Sequence, residues 1–531
     1  MKNKNATSLP NPDSLPDDPT VLREVIQALL ADLRKAHSLT DNLQQQIEQL
    51  LRQRFGRRSE KMEWGPLFDE GVIAEIMGQT LKQEEPEKEE VTYERRKPGK
   101  KGHGRQVLPD HLPRVREEIE VPADEKNCSV CGEEKRRIGE EISEQLEFVP
   151  ASLFVKETVR PTLACPQEHE VTTAPMPPQP IEKGLAGPGL LAQVAISKYG
   201  DHLPLNRQED IFSRNKVSIP RSTQSDWMRQ CAELCRPLEA VLKQTILNSK
   251  VIHTDDTTLP LQEKGKTQKS KAWVYLDPIR LLAVFDFTRT RKRDGPQKFL
   301  EGYSGYLQAD AYAGYDSIYA GEQVREVACW AHVRRKFDEA KSAHPTAAVV
   351  AMAWIKQLYD VEREAKAWAK MLPVVLTEEE RRERIAVKRY ALRQKKSTAI
   401  VEGFDAWLTE QEEVALPKSP LGKAIAYTRS NWDALKRYLE DGDLSIDNNI
   451  AERSMRHVAV GRKNWLFVGS ERGGKTYATL TSLIYSAKLH KLDLFAYLRD
   501  VFTRLPETPL SQLEQFLPDV WKQTHAAVAA Q

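Results

Sequence analysis

The stretch Val251–Ile252–His253–Thr254–Asp255 decides the fold, because it has the pattern of a buried strand that ends in a carboxylate. A second run, Gly305–Tyr306–Leu307–Gln308–Ala309, ends in the same way at Asp310. A third carboxylate, Glu452, follows the helix-opening segment Ser445–Ile446–Asp447–Asn448–Asn449. Carboxylates on neighbouring strands and a facing helix can hold two divalent cations for phosphodiester chemistry. The order Asp, Asp, Glu therefore indicates a polynucleotidyl transferase. Taken singly, each acid also has a structural interpretation, such as a turn cap or an ion pair of Glu452 with Arg456.

The strand pattern around these acids predicts a ribonuclease-H-like fold. Three antiparallel strands, a helix, the strand before Asp310 and a fifth strand follow in turn, over Val251–Thr254, Ala272–Leu276, Leu281–Phe287, 297–300, 305–309 and Val324–Trp330. Residues 337–443 are helical in composition and predict an all-α insertion before the helix of Glu452. We therefore expect a catalytic domain in two parts, 250–336 and 444–500, with a C-terminal tail at 501–531.

Bulk composition excludes some classes of protein but names no partner. The chain has 531 residues, 79 basic and 77 acidic side chains and a net charge of +2. Residues 446–500 carry nine Lys or Arg against five Asp or Glu, an excess that suits a polyanion beside Glu452. No apolar run approaches the ~20 residues of a membrane span, and Met1–Asn5 lacks a secretory signal's apolar core. With only six cysteines, these features predict a cytoplasmic protein.

The N-terminal region predicts a self-association module. Residues 1–19 have a disordered composition, and residues 20–60 repeat apolar positions every seven residues, at Leu22, Leu29, Ala36, Leu43 and Leu50. This spacing predicts a coiled coil that joins copies of the chain, although an amphipathic helix packed on its own domain has the same pattern. Residues 61–125 then have the mixed charge of a flexible linker.

Residues 126–182 contain four candidate zinc ligands. Cys128 and Cys131 form one pair, and Cys165 and His169 form another. Two such pairs are typical of a structural Zn²⁺ site, whereas a turn-rich module with unligated cysteines is the alternative. Cys231 and Cys235 instead lie four apart in a predicted helix and are expected to be packed.

Residues 185–245 predict a helix-turn-helix DNA-binding domain. The three helices are expected over Leu190–Tyr199, over Leu205–Ser213 and from near Ser222 or Ser225, with a turn at Asn215–Pro220. Its recognition helix would offer four polar side chains to DNA, namely Ser222, Thr223, Gln224 and Arg229.

Several long segments resemble the insertion sequence 66 family of bacterial transposases. They are His253–Thr257, Leu307–Tyr315, Cys329–Phe337, Ile446–Arg453 and Gly461–Phe467, with further likeness in Phe55–Lys61 and Lys198–Leu205. The resemblance implies a DDE triad at Asp255, Asp310 and Glu452, a Cys-x2-His element at Cys329 and His332, and accessory proteins of the same element. Two positions depart from the family pattern: Asp256 stands where Glu is usual, and Cys165 with His169 replaces a cysteine pair.

The chemistry implied is cleavage of the element's double-stranded DNA ends and transfer of the 3′-hydroxyl to target DNA, with two Mg²⁺ ions or Mn²⁺. Four cations would neutralise phosphates, namely Arg453, Arg456, Arg462 and Lys463. Trp465 would stack on a distorted base or lie in the core on a strand at Asn464–Val468. His332 would orient a phosphate or form a structural pair with Cys329.

Two other functions are also compatible with the sequence. One is a catalytically inactive repressor or architectural protein. The other is a helper ATPase, because Gly469–Thr476 fits the phosphate-binding pattern GxxxxGK[ST].

Overall fold

The computed structural model describes residue 153, residues 162–164 and 171–173, and residues 178–529 apart from 183, 215, 311, 322 and 374. The predicted coiled coil, the charged linker and the four predicted zinc ligands lie outside the described residues. The chain divides into two compact units, one of Gly78–Ala174 and one of Met1–Met77 with Pro175–Gln531. In the first unit, β1 (Thr162–Ala164) and β2 (Val171–Thr173) pair in an antiparallel hairpin.

A five-stranded sheet lies in the second unit. Its strands are β3 (Val251–Glu263), β4 (Lys266–Asp277), β5 (Leu282–Thr288), β6 (Gly305–Gln308) and β7 (Val324–Val327). They lie in the order β5-β4-β3-β6-β7. The pairs β5–β4 and β4–β3 are antiparallel, whereas β3–β6 and β6–β7 are parallel. All five predicted strands are therefore present.

Three strand boundaries differ by several residues from those predicted, the first being the start of β4, which lies at Lys266 and not at Ala272. Asp255 lies inside β3 and does not end it, because pairing with β4 continues to Glu263. The apolar run marks only the part of β3 that is buried on both faces, and beyond Thr254 the strand is half-buried with Leu259 and Leu261 facing the core. The fifth strand ends at Val327, and Trp330 begins a helix.

Three helices precede the sheet, as predicted. They are α1 (Pro188–Ala195), which continues as a π-helical turn (Ile196–Gly200), α2 (Leu205–Arg214) and α3 (Arg221–Leu247). α3 is longer than a recognition helix requires, because its second half packs in the same core as the sheet through Leu238, Leu242 and Ile246. Cys231 and Cys235 are buried in this helix with free thiols, as expected.

Helices and turns occupy the chain between β7 and Asn449. Two short helices lie between strands of the sheet, α4 (Asp294–Phe299) between β5 and β6 and α5 (Asp316–Tyr319) between β6 and β7. After β7 come α6 (Trp330–Ala340), α7 (Pro345–Ala369), α8 (Glu378–Leu392), a π-helical turn (Arg393–Ser397), α9 (Thr398–Val414), α10 (Pro420–Ser430) and α11 (Trp432–Lys436). α6, α7, α9, α10 and α11 share a second core around Trp330, whose ring lies 5.9 Å from Phe404 and 6.1 Å from Trp432. Leu392 of α8 packs instead in a small cluster with Val361 and Ala365 of α7.

The chain then returns to the sheet through four helices. They are α12 (Asn449–Trp465), α13 (Glu471–Leu489), α14 (Leu494–Arg504) and α15 (Pro518–Ala529). The residues treated as a tail in the sequence are packed, since Phe516 and Leu517 are fully buried and Tyr497 donates to the Phe516 carbonyl (2.8 Å). Within the described residues, no helix has the length and apolar composition to cross a bilayer.

The outer edge of β5 is closed by side chains of α13. The backbone amides of Ala283 and Phe285 donate to the hydroxyls of Ser486 (2.9 Å) and Ser482 (2.8 Å). An edge strand with unpaired amides is a template for aggregation, and these serines satisfy those amides. Gly474 permits the contact, because a Cβ there would lie 2.6 Å from the Phe287 ring.

A buried arginine fixes the segment that leads into α12. Arg393 is fully buried, and its guanidinium donates to both carboxylate oxygens of Glu362 (2.6 and 3.0 Å). The same guanidinium donates to the carbonyls of Tyr438 (2.7 Å), Asp441 (2.9 Å) and Leu444 (2.9 Å). One side chain therefore holds residues 438–444 against α7.

We predict that Arg393→Met lowers the free energy of unfolding by about 3–5 kcal/mol, because it leaves three carbonyls without this donor and the Glu362 carboxylate with only the more distant Arg389 (3.6 Å). Lys396→Met is the matched control, since Lys396 forms an exposed pair with Glu364 (2.7 Å) and should cost less than about 1 kcal/mol. Urea unfolding followed by circular dichroism measures both variants. Equal losses would contradict the assignment.

Candidate active site

Asp255 lies in β3, and Asp310 lies two residues beyond the end of the adjacent strand β6. β3 and β6 are parallel, and His253 is opposite Gln308. Two residues further along each segment are Asp255 and Asp310. Because residues two apart on a strand share a face, Asp255 lies on the same face as His253. The charge of Asp310 acts on Asp255, whose pKa it helps to raise.

Glu452 is brought to these acids by Asn448, which immediately precedes α12. The Asn448 amide donates to the Thr254 carbonyl (2.9 Å), and its oxygen lies 3.0 Å from Nδ1 of His253. The side chain makes no capping hydrogen bond to α12, so it connects the helix to β3 instead. Glu452, one turn into α12, consequently lies within electrostatic range of Asp255.

The loop of residues 445–448 also bonds to the other two segments. The Gln308 amide donates to the Ser445 carbonyl (2.9 Å), which attaches the end of β6. The backbone amide of Trp330 donates to the Ile446 carbonyl (3.1 Å), which attaches the start of α6. β3, β6, α6 and α12 therefore meet at this one loop.

Burial and the charges of neighbouring carboxylates raise the pKa values of Asp255 and Asp310. Burial is the main cause for Asp255, whose pKa rises to about 7 with further contributions from Asp310, Asp256 and Glu452. Burial also raises the pKa of Asp310, followed by the charge of Asp256, and the nearby Arg291 and His332 oppose this. Oε1 of Glu452 is buried without a hydrogen-bond partner in the described part of the chain. Carboxylates that repel one another, one of them with an unsatisfied oxygen, have the chemistry of ligands for a divalent cation.

Asp256 has a different environment from its neighbour. Its carboxylate is only 3% exposed and pairs with Lys271 (2.7 Å) and Arg291 (2.8 Å). Arg291 also lies 3.9 Å from Asp310. Since two cations neutralise Asp256, its carboxylate is not available as a metal ligand.

Cys329 and His332 lie beside Glu452. One ligand atom from each of these three residues lies within 4.8 Å of the others. Nδ1 of His332 is 3.7 Å from Oε1 of Glu452, and burial lowers the pKa of His332. The Cys329 thiol accepts the backbone amide of Asn448 (3.2 Å), and burial raises its pKa to about 12. Cys329 therefore supports the loop, whereas His332 faces the acids.

The predicted recognition helix is present, but one of its predicted DNA contacts is not accessible. Gln224 is fully buried and donates to the Ile219 carbonyl (2.8 Å), so its side chain holds the turn and cannot reach a base. Ser222 is exposed and Thr223 is half-buried. Arg229 is half-buried and pairs with Asp226 (2.7 Å) and Glu233 (2.8 Å) on its own helix.

The basic residues of α12 fall into two groups. Arg453, Arg456 and Lys463 are exposed. Arg462 is half-buried and donates to the Thr258 carbonyl of β3.

The strand expected at Asn464–Val468 is absent. α12 continues to Trp465, which packs on Tyr477 with ring centroids 5.4 Å apart, and only Val468 forms an isolated bridge to Leu261. Trp465 is therefore a packed residue. The GxxxxGK[ST] segment is preceded by a helix and not by the strand that the phosphate-binding motif requires.

Sequence reasoning missed the residues that position the acids. In the sequence, Asn448 is recognisable only as part of a helix start, and no pattern distinguishes Lys271 or Arg291 from other surface cations. Asn448 is separated from Thr254 by 194 residues, so no local pattern reveals the contact. The signal available was a polar triplet, Asp447–Asn448–Asn449, directly before a helix.

Family comparisons agree with this architecture. The family described as transposase IS66 family matches residues 183–476, which is more than half of the chain. The chain belongs to this transposase family. The IS66 zinc-finger domain matches residues 125–167, which include Cys128, Cys131 and Cys165 and end before His169. The matches to the IS166 transposase C homeodomain and the IS66 C-terminal element cover residues 42–116 and 482–518.

Relatives of this family member occur in Sinorhizobium fredii. The uncharacterized protein y4jD is 34% identical over 442 residues, covering 80% of this chain and 83% of the relative. The uncharacterized protein y4qI is 35% identical over 446 residues, covering 80% and 78%. The similarity thus extends over most of both chains.

We predict that Asn448→Ala lowers the free energy of unfolding by about 2–4 kcal/mol, because the Thr254 carbonyl and the His253 ring each lose a buried partner. Asn464→Ala is the control, since Asn464 is exposed on the same helix and donates only to the Val460 carbonyl (3.3 Å). Denaturant unfolding measures both. An Asn448→Ala protein as stable as the control would show that the loop is held by other contacts.

A second prediction concerns pH. Without divalent cations, folded Asp255 keeps its proton up to about pH 7, whereas an unfolded Asp loses it near pH 4. The folded state therefore binds more protons between these values, and stability falls as pH rises through this window, by at most about 1.4 kcal/mol per pH unit.

Asp255→Asn should remove this contribution and flatten the curve of unfolding free energy against pH between 4 and 7, measured in EDTA. Asp316→Asn, an exposed aspartate outside the site, should leave the slope unchanged. Parallel curves for wild type and Asp255→Asn would contradict the raised pKa.

Proposed function

We propose that this protein is a DDE transposase that binds the ends of its insertion sequence, cleaves DNA strands and joins them to target DNA. The proposal rests on one observation above others. The parallel register of β3 and β6 aligns Asp255 with Asp310, while Asn448 ties the helix of Glu452 to the same strand. Family membership gives this arrangement its biochemical context.

The catalytic domain is proposed to be ribonuclease-H-like. Three antiparallel strands, β3 to β5, are followed by two strands that extend the sheet in parallel from β3. The acids then come from a central strand, from the end of its parallel neighbour and from a later helix. On this view the helices from α7 to α11 are an insertion between two parts of one catalytic domain.

Asp255, Asp310 and Glu452 would hold two Mg²⁺ ions, or Mn²⁺. Bound there, the metal supplies Lewis-acid chemistry that activates water or a 3′-hydroxyl and stabilises the leaving oxygen. The chain's own groups perform the positioning. Arg291, 3.9 Å from Asp310, and Arg335, 3.7 Å from Glu452, place positive charge where a scissile phosphate would lie. His332, 3.7 Å from the other carboxylate oxygen of Glu452, would orient that phosphate.

DNA would be held by two regions. Arg453, Arg456 and Lys463 would neutralise phosphates along α12, and Ser222, Thr223 and Arg229 would contact DNA from α3. Structural Zn²⁺ would be bound by Cys128, Cys131, Cys165 and His169. The N-terminal heptads would pair two copies of the chain, which suits cleavage of two ends, and small proteins of the same element would assist.

We predict that Asp255→Asn lowers Mg²⁺-dependent cleavage of end DNA by about a thousandfold or more, because loss of a metal ligand removes several kcal/mol of transition-state stabilisation. End binding should be unchanged, and Asp316→Asn should cleave normally. Gel assays of cleavage and mobility measure the two activities, with EDTA as the metal-free control. A wild-type protein that binds ends and never cleaves them would favour the inactive DNA-binding alternative.

A further inference from the structure

Two large apolar side chains are exposed directly after α12. Leu466 is 63% exposed and Phe467 is 40% exposed. The residues on either side are packed, since Trp465 contacts Tyr477 and Val468 is buried. The chain therefore turns two consecutive apolar side chains outward between two that are packed inward.

The backbone at this point is strained. Leu466 has φ 64° and ψ −50°, and the amide of Phe467 donates to the carbonyl of Trp465 (2.8 Å). These are the features of a classic γ-turn, which is rare and unfavourable for a residue with a Cβ. Such strain costs on the order of 1–3 kcal/mol and persists where the surroundings impose it.

Both ends of the turn are fixed. The Leu466 amide donates to the Arg462 carbonyl (2.8 Å) at the end of α12. The Val468 amide donates to the Pro260 carbonyl (2.9 Å), and its carbonyl accepts from Gln262 (2.8 Å) on β3. The turn is thus a rigid support that presents Leu466 and Phe467 at the surface, and burial of these two side chains does not explain it.

Four exposed cations lie near the apolar pair in sequence or at the adjacent β3–β4 turn. Lys264 and Lys266 lie next to Gln262 at the β3–β4 turn, and Lys463 and Arg472 flank the pair in sequence. All four are exposed, and none of them forms an ion pair within the described residues. The neighbouring acids are already occupied, since Glu263 pairs with Arg289 (2.7 Å) and Glu471 with Lys475 (3.3 Å). An apolar tip with a cationic rim matches duplex DNA, which has phosphates outside and stacked bases inside.

Two independent paths give the same distance from the pair to the acids. From Glu452 to Leu466 the path is 14 residues of α-helix, or about 21 Å at ~1.5 Å per residue. From Asp255 to Leu261, which bridges Val468, it is six residues of strand, or about 20 Å at ~3.3 Å per residue. At ~3.4 Å per base step, this span equals about six base pairs.

We propose that Phe467, with Leu466 beside it, inserts between base pairs of the bound DNA end and unstacks one step about six base pairs from the phosphate held at the acids. The proposal rests on the proposed function, because it needs DNA to run from the carboxylates along α12. Insertion of an apolar side chain kinks the duplex, and the four surrounding cations bind the phosphates on either side of the kink.

The test uses the full-length protein and duplexes of the element's terminal sequence, each carrying 2-aminopurine at one position. This base fluoresces more strongly when unstacked. Wild-type protein should give a several-fold rise at one position about five to seven base pairs from the cleavage site and little change elsewhere. Phe467→Ala should abolish the rise, and Phe467→Trp should restore it.

Val460→Ala is the matched control, since Val460 is a 48% exposed apolar residue on the same helix and should leave the rise unchanged. A rise that survives Phe467→Ala overturns the proposal. The proposal is also overturned if wild-type protein gives no rise in fluorescence and Phe467→Ala reduces self-association. In that case the apolar pair would contact a second copy of the chain and not DNA. Failure of wild type to bind or cleave ends would instead refute the proposed function.

Discussion

One buried amide, Asn448, determines where distant segments of the chain meet. Its side-chain nitrogen donates to the Thr254 carbonyl of β3, its side-chain oxygen accepts from Nδ1 of His253, and its backbone amide donates to the Cys329 sulfur ahead of α6. Each of these partners is buried, so an unmade bond would cost about 1–3 kcal/mol. That cost fixes the start of α12 relative to β3 whatever the length of chain between them. The helical segment after β7 has its own core and can therefore be accommodated without moving Glu452.

The environment of β3 assigns different roles to two adjacent aspartates. Successive residues of a strand face opposite sides of a sheet. Asp256 meets Lys271 and Arg291, which neutralise it. Asp255 meets Asp310 and Glu452, whose charges oppose its ionisation. Burying like charges together is unfavourable unless a cation joins them, so this cost supports the proposed metal-binding role of Asp255.

Much of the fold, including the two strands and the helix that carry the three acids, could be predicted from sequence, because strands and helices have local periodicities. The apolar run at 251–254 marked β3, and the segment 445–449 marked the start of α12. The misses come from contacts that the residue pattern of a single element does not show. Gln224 resembles any polar residue on a helix until its bond to the Ile219 carbonyl is known. The residues from Asn464 to Val468 have strand-forming side chains, yet α12 continues because Trp465 can pack on Tyr477. The extent of β3 depends on β4 and not on its own pattern.

α12 connects these parts of the fold because it is hydrogen-bonded to its surroundings near its start, at its middle and just after its end. Its start is bonded to β3 through Asn448, and the chain after its end is bonded to β3 through Val468. At its middle, Nε2 of His457 lies 2.7 Å from the Tyr199 carbonyl in the π-helical turn that follows α1. Gly461 allows this approach, since a Cβ there would lie 3.0 Å from His202. One stiff helix thus contacts the acids, the helices that precede the sheet and the exposed apolar pair, so the spacing among all three is set by its length and not by flexible connections.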